Sequence, residues 1–224
     1  MIKGVIFDLD DTIVNSEPLH VEACALLLRE YGSTVNDIPS QMRQNHMGMR
    51  TCDILKQIVA YLKINEDINI LYEKRVSFFM QLVENKLTKK SGLLSALALL
   101  KNNNYSLAIA SSGTKKYINF VLNKFNIGNY FQVVVTGDDV MKGQPDPETY
   151  TIAVLKLGLK PSECIVFEDA VKGVDSAKKA GCLCVAINTP YTSTKDLFKA
   201  DFLIDSLNDI TLELINKASL IVGP

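Results

Sequence analysis

From Ser106 onward, short apolar runs alternate with amphipathic segments. This rhythm constrains the fold more than any other feature of the chain. Strands are predicted at Ser106–Ala110, 131–136, 164–167, Leu183–Ile187 and Phe202–Ile204. Helices are predicted between them at 115–125, 147–157 and 171–180. A βαβα succession cannot close as hairpins. It demands a parallel sheet with helices on both faces. One more buried run, residues 3–9, stands far upstream of the others. Between it and Ser106 the periodicity is helical, with stretches at 17–31, Thr51–Leu62, 68–87 and Leu93–Asn102. Leu19, Ala23, Leu26 and Leu27 mark one covered face, and Tyr31-Gly32 marks a stop. Residues 15–88 therefore read as a helical cap inserted into a core made of 1–14 and 89–224. With 224 residues, 47% of them hydrophobic, there is ample material for that core.

In open parallel sheets, ligands bind at the carboxyl ends of the strands. Three predicted strands end in chemistry. The first ends in Asp8-Leu9-Asp10, followed by Asp11 and Thr12. Another ends in Ser111-Ser112-Gly113, and a third in Glu168-Asp169. Taken alone, each is a common turn, helix start or N-cap. Taken together, each at a strand end, they are far more specific. Clustered carboxylates repel, so a cation is expected among Asp8, Asp10 and Asp169. Hard oxygen donors suit Mg²⁺. One carboxylate can attack phosphorus, and the other can serve the leaving oxygen as acid and the water as base. Ser111, Ser112, Gly113 and nearby backbone N–H groups can hold phosphoryl oxygens.

The remaining composition removes other classes. Only His20 and His46 are present, too few for a multi-histidine metal site. Net charge is −1, so no basic surplus points to nucleic acid. No apolar run approaches a membrane span. The five cysteines form no Cys-x-x-Cys pair and read as free thiols in a reducing cytoplasm.

The motif Asp8-Leu9-Asp10-Asp11-Thr12, the strand-ending Ser111 and the stretch Val166-Phe167-Glu168-Asp169-Ala170-Val171-Lys172-Gly173 resemble the haloacid dehalogenase superfamily. Asn15-Ser16-Glu17-Pro18-Leu19-His20 and Ala177-Lys178-Lys179-Ala180-Gly181 are similar to its branch of sugar phosphatases and β-phosphoglucomutase. The resemblance implies a Rossmann-like core with a small helical cap. It implies an Mg²⁺-dependent phosphatase that forms an aspartyl-phosphate. Asp8 would be the nucleophile, and Asp10 the acid and base with its carbonyl on the metal. Asp169 would be a metal ligand, with Glu168 a ligand or its support. Ser111 would bind the phosphoryl group. The partner would be a small phosphorylated metabolite, a sugar phosphate among the candidates, and the chain is expected to be a monomer.

One position departs from the family pattern. Gly-Lys-Pro-x-Pro is replaced by Gly143-Gln144-Pro145-Asp146-Pro147. Gln144 can donate a hydrogen bond but carries no charge. Lys142, two residues earlier, is the candidate substitute cation; reduced activity or a pure binding role are the alternatives. Met47-Gly48-Met49-Arg50-Thr51 resembles the cap loop of the branch, so Arg50 is a candidate substrate contact; His20 is another, similar to a histidine near the hinge and active site of β-phosphoglucomutase. Lys74 and Arg75 could face the cleft, but a solvated face is the preferred reading. Thr51 stands where the mutase has an arginine, which favours hydrolysis over mutase chemistry.

Overall fold

The computed structural model describes residues 1–221. The chain opens with β1 (Gly4–Phe7) and a two-residue strand β2 (Val14–Asn15). Four helices follow: α1 (Glu17–Glu30), α2 (Ser40–Asn45), α3 (Thr51–Leu62) and α4 (Ile68–Lys86). Next come β3 (Thr88–Lys89), α5 (Leu93–Asn102), β4 (Ser106–Ala110), α6 (Lys115–Lys124) and β5 (Val133–Val135). The chain continues through α7 (Glu148–Leu157), β6 (Cys164–Glu168), α8 (Val171–Lys179), β7 (Leu183–Ile187), β8 (Phe202–Ile204) and α9 (Leu212–Ile221). The expected α/β fold is the one observed. The final stretch begins with a 3-10 turn before α9, and the short tail at 222–224 lies outside the described residues.

Six strands form one parallel sheet in the order β5-β4-β1-β6-β7-β8. Alternation along the strands divides the core in two. Val5, Phe7, Ile109, Phe167 and Val185 pack with Leu97 of α5, Ile118 of α6 and Ile215 of α9. Ile6, Ala108, Val166 and Cys184 pack with Tyr150 of α7 and Val174 of α8. Phe7 stacks on Phe167 at 5.1 Å between ring centroids. Burying one such ring contributes about 2–3 kcal/mol. All five cysteines are free, and Cys164, Cys182 and Cys184 are buried.

The helical insertion leaves and rejoins the sheet through an antiparallel pair, Val14 with Lys89 and Asn15 with Thr88. Inside it, α1 packs on α4. Leu27, Leu55 and Leu71 form one small core, and Leu28, Ile38 and Ile58 another. Among the described residues, no helix is long and apolar enough to cross a membrane.

Strand order sets where a ligand can sit. From β1 the chain builds β4 and β5 on one side, then crosses to build β6, β7 and β8 on the other. The reversal leaves a crevice above the carboxyl end of β1, flanked by β4 and β6.

Candidate active site

Parallel register brings the three strand ends level. Phe7 pairs with Ile109 and with Phe167. Asp8 therefore emerges level with Glu168 on one side and with Ala110, the residue before Ser111, on the other. Its N–H donates to the carbonyl of Phe167 at 3.0 Å. The carboxylates of Asp8, Glu168 and Asp169 are buried and offer oxygens within 4.8 Å of one another. Burial, then repulsion from Glu168, Asp169 and Asp10, pushes the Asp8 carboxyl well above the usual carboxylate range. Burial, then Glu168, does the same to Asp169. Asp8, Glu168 and Asp169 form a buried acidic cluster that could hold a metal ion.

Glu168 differs from its neighbours. Its Oε1 accepts from Tyr150 and Gln144, and its Oε2 from the N–H groups of Asp169 and Ala170. Each of its oxygens thus already accepts two hydrogen bonds. Asp8 and Asp169 keep acceptor capacity for a hard divalent cation such as Mg²⁺. Thr12 Oγ1 donates to Asp169 Oδ1 at 3.2 Å and orients it.

Asp10 has a different environment. Its Oδ1 accepts from the Tyr117 hydroxyl at 2.7 Å and lies 3.4 Å from His20 Nε2. Burial alone would raise this carboxyl, but His20, Ser16 and Tyr117 outweigh it and hold it below its ordinary value. The other His20 nitrogen, Nδ1, lies 2.5 Å from Arg75 Nη2. Arginine only donates, so these partners assign the imidazole proton to Nε2, where it faces Asp10. His20 also stacks on Phe79 at 4.1 Å. The two carboxyls are thus pushed in opposite directions: Asp8 by burial and neighbouring acids, Asp10 by its hydrogen-bond donors. Asp11 turns the chain with φ of 52°, a left-handed conformation that aspartate tolerates. Its carboxylate accepts from Glu17 N–H and from Lys90.

Above these acids lies a cavity of about 170 Å³. Its floor includes Asp8, Asp10, Ser111, Ser112, Gly113 and Gln144. The insertion supplies the roof, in part apolar through Val21, Ile38 and Ile58, in part polar through His20, Arg75 and His46. His46 Nε2 is buried there without a hydrogen-bond partner. The cap loop meets the core directly: Ser112 Oγ donates to the Gly48 carbonyl at 3.0 Å.

Two sequence candidates are not brought to this cavity. The Lys142 side chain is 76% exposed and lies 4.0 Å from Asp146. Its own N–H is held by Glu148 at the start of α7, which turns the side chain to solvent. Lys142 therefore does not replace the missing lysine in this conformation. Arg50 pairs with Asp53 at 3.0 Å and reaches the Met141 carbonyl, outside the cavity wall. Arg75 corrects the reading of a solvated face: it is 6% exposed and lines the cavity. It falls midway between Leu71 and Phe79 at i, i+4 spacing on the buried side of α4, a signal the sequence carried. Tyr117 was also missed, although it lies in phase with Ile118 and Val121 one turn into α6.

Residues 5–187 match the family model described as haloacid dehalogenase-like hydrolase. The chain belongs to this family. It is 32% identical over 181 residues to the phosphorylated carbohydrates phosphatase of Thermotoga maritima, covering 80% of this chain and 82% of the relative. It is 30% identical over 210 residues to validoxylamine A 7'-phosphate phosphatase of Streptomyces hygroscopicus subsp. limoneus, covering 94% and 96%. Among solved structures, β-phosphoglucomutase of Clostridium difficile superposes with a TM-score of 0.86 at 25% identity, covering 99% of this chain and 98% of that one. The resemblance drawn from the motifs is therefore borne out. So is the expectation of a haloacid dehalogenase-like enzyme of the phosphoric monoester hydrolase class, by relatives that are named phosphatases.

Proposed function

We propose that this hydrolase removes the phosphoryl group from a small phosphorylated metabolite, through a covalent intermediate on Asp8. One observation carries the reading. Two carboxylates after β1, a small-residue turn after β4 and the acids after β6 meet at three adjacent strand ends and line one cavity. Residues 15–88 act as a cap domain over a core of 1–14 and 89–224, and the β2–β3 pair is the connection between them. The relatives that act on phosphorylated carbohydrates make a sugar phosphate the first substrate to try. The chain is taken to act as a monomer in a reducing cytoplasm, in keeping with its free cysteines.

In the first step an oxygen of Asp8 attacks phosphorus, and the bond to the leaving alcohol oxygen breaks. Asp10, which enters this step protonated, gives that oxygen its proton. In the second step Asp10 takes a proton from water, whose oxygen attacks the phosphorus of the acyl phosphate. Inorganic phosphate leaves and the Asp8 carboxylate is restored. Ser111 and the N–H groups after it hold phosphoryl oxygens. Tyr117 and His20 keep Asp10 aimed at the cavity. Asp8 and Asp169, with the Asp10 carbonyl, would hold Mg²⁺, which when bound supplies positive charge against the acids and the phosphoryl oxygens.

The structural neighbour named β-phosphoglucomutase favours a second reading, intramolecular phosphoryl transfer. Thr51 and the outward pairing of Arg50 weigh against it. The test is phosphate release from a panel of small phosphoesters, with Mg²⁺ or with chelator. Release that needs the metal supports the phosphatase. Interconversion of a sugar 1-phosphate and 6-phosphate, dependent on a bisphosphate and without net release, would replace it with the mutase. No turnover of either kind would leave a binding role.

A further inference from the structure

Glu168 is 1% exposed, and its two oxygens take four hydrogen bonds. Every donor is electrically neutral. Oε2 accepts the N–H groups of Asp169 at 2.9 Å and Ala170 at 3.0 Å. Oε1 accepts the Tyr150 hydroxyl at 2.6 Å and Gln144 Nε2 at 3.0 Å. The same Gln144 nitrogen lies 3.4 Å from the Tyr150 hydroxyl oxygen. The hydrogens balance. One amide hydrogen goes to the carboxylate, the other to the tyrosine oxygen, and the tyrosine hydrogen to the carboxylate. The three side chains form a closed triangle. Tyr150 itself is 0% exposed, its ring packed on the α7 side of the sheet.

A buried carboxylate held only by neutral donors depends on all of them. We propose that Tyr150 is a positioning residue, sharing with Gln144 the holding of Glu168. This rests on the phosphatase reading above. Its effect reaches the reacting groups through Glu168, whose Oε2 fixes the turn that carries Asp169. A charged amine at position 144 would hold Glu168 without help. The Tyr150 hydroxyl therefore matters because residue 144 is a glutamine, and a lysine there makes it dispensable.

Four proteins test this: wild type, Tyr150→Phe, Gln144→Lys and the double variant. Each is assayed with p-nitrophenyl phosphate and Mg²⁺, and melted without substrate. Tyr150→Phe keeps the ring and removes only the hydroxyl. In the wild-type background it should lower kcat by about tenfold or more, with KM nearly unchanged. In the Gln144→Lys background the same change should cost about twofold at most. An equal loss in both backgrounds, or a fall in melting temperature with kcat intact, would overturn the proposal. If the wild type releases no phosphate, the phosphatase reading fails separately. Calorimetric titration with Mg²⁺ then decides the role of Tyr150. Affinity weaker by about tenfold in Tyr150→Phe supports it, and unchanged affinity overturns it.

Discussion

At the scale of single residues, the site depends on fit as much as on charge. Gly173 on α8 lies against the buried carboxylate of Glu168. A Cβ there would fall 1.6 Å from Oε1 and 1.9 Å from Cδ. The flanking strand and helix leave the carboxylate no free volume. Gly173→Ala should destabilise the fold by about 1–3 kcal/mol and displace Glu168. Melting curves and phosphate release check both effects, and an alanine variant of wild-type stability and rate would contradict the packing. Glu17, in the cavity wall, carries a pH signature. Burial, then the charges of Asp11 and Asp10, pushes its carboxyl from 4.5 up to about 7. A raised carboxyl favours the folded state while protonated. Its contribution is therefore full below about pH 4.5 and is lost as pH rises through 7. Glu17→Gln should match wild type near pH 4.5 and exceed it by up to about 3 kcal/mol near pH 8. Denaturant titrations of the metal-free protein across that range would expose parallel curves if the wall does not hold Glu17 this way.

At the scale of elements, α1, α4 and α6 converge on one aromatic cluster. Phe79 of α4 stacks on His20 of α1 and meets Tyr117 of α6 edge-on at 5.0 Å. Arg75 lies over the same ring at 4.8 Å. Phe79→Ala should cost about 3–4 kcal/mol and loosen the two groups that hold Asp10, so kcat falls along with stability. A stable variant of full activity would separate this cluster from the chemistry. Most of these elements were legible in the sequence, because long apolar phases and β-branched runs report burial directly. The strand ends at Asp8, Ser111 and Glu168 followed from the same signals. What escaped has physical reasons. The helix α2 has six residues, mostly polar, so it carries no periodicity to read. The strands β2 and β3 have two residues each and exist only because they pair across 73 positions. Arg75 was hidden by its charge, although its spacing was apolar. Lys142 sits two residues from Gln144, yet its side chain turns to solvent beside Asp146, and its N–H is held by Glu148 six residues on.

At the scale of the whole molecule, topology explains why chemistry gathers where it does. Reversal of strand order at β1 places β4 and β6 on either side of Asp8 and opens the crevice. The insertion then closes that crevice with its own small cores. Core and insertion both line the cavity: the sheet ends bring Asp8, Ser111 and Glu168, and the helices bring His20, Arg75 and Ile58. Gln144 stands where the family pattern has a lysine, and with Tyr150 it meets the Glu168 carboxylate through neutral donors. The central chemical claim is that Asp8 carries the phosphoryl group. The most direct measurement is acid quench of the enzyme during turnover, followed by mass spectrometry of the peptide holding Val5 to Thr12. The mechanism predicts that this peptide gains the mass of one phosphoryl group on Asp8, and that Asp8→Asn abolishes both the adduct and phosphate release. Turnover that persists in Asp8→Asn, with no adduct on the wild type, would contradict it.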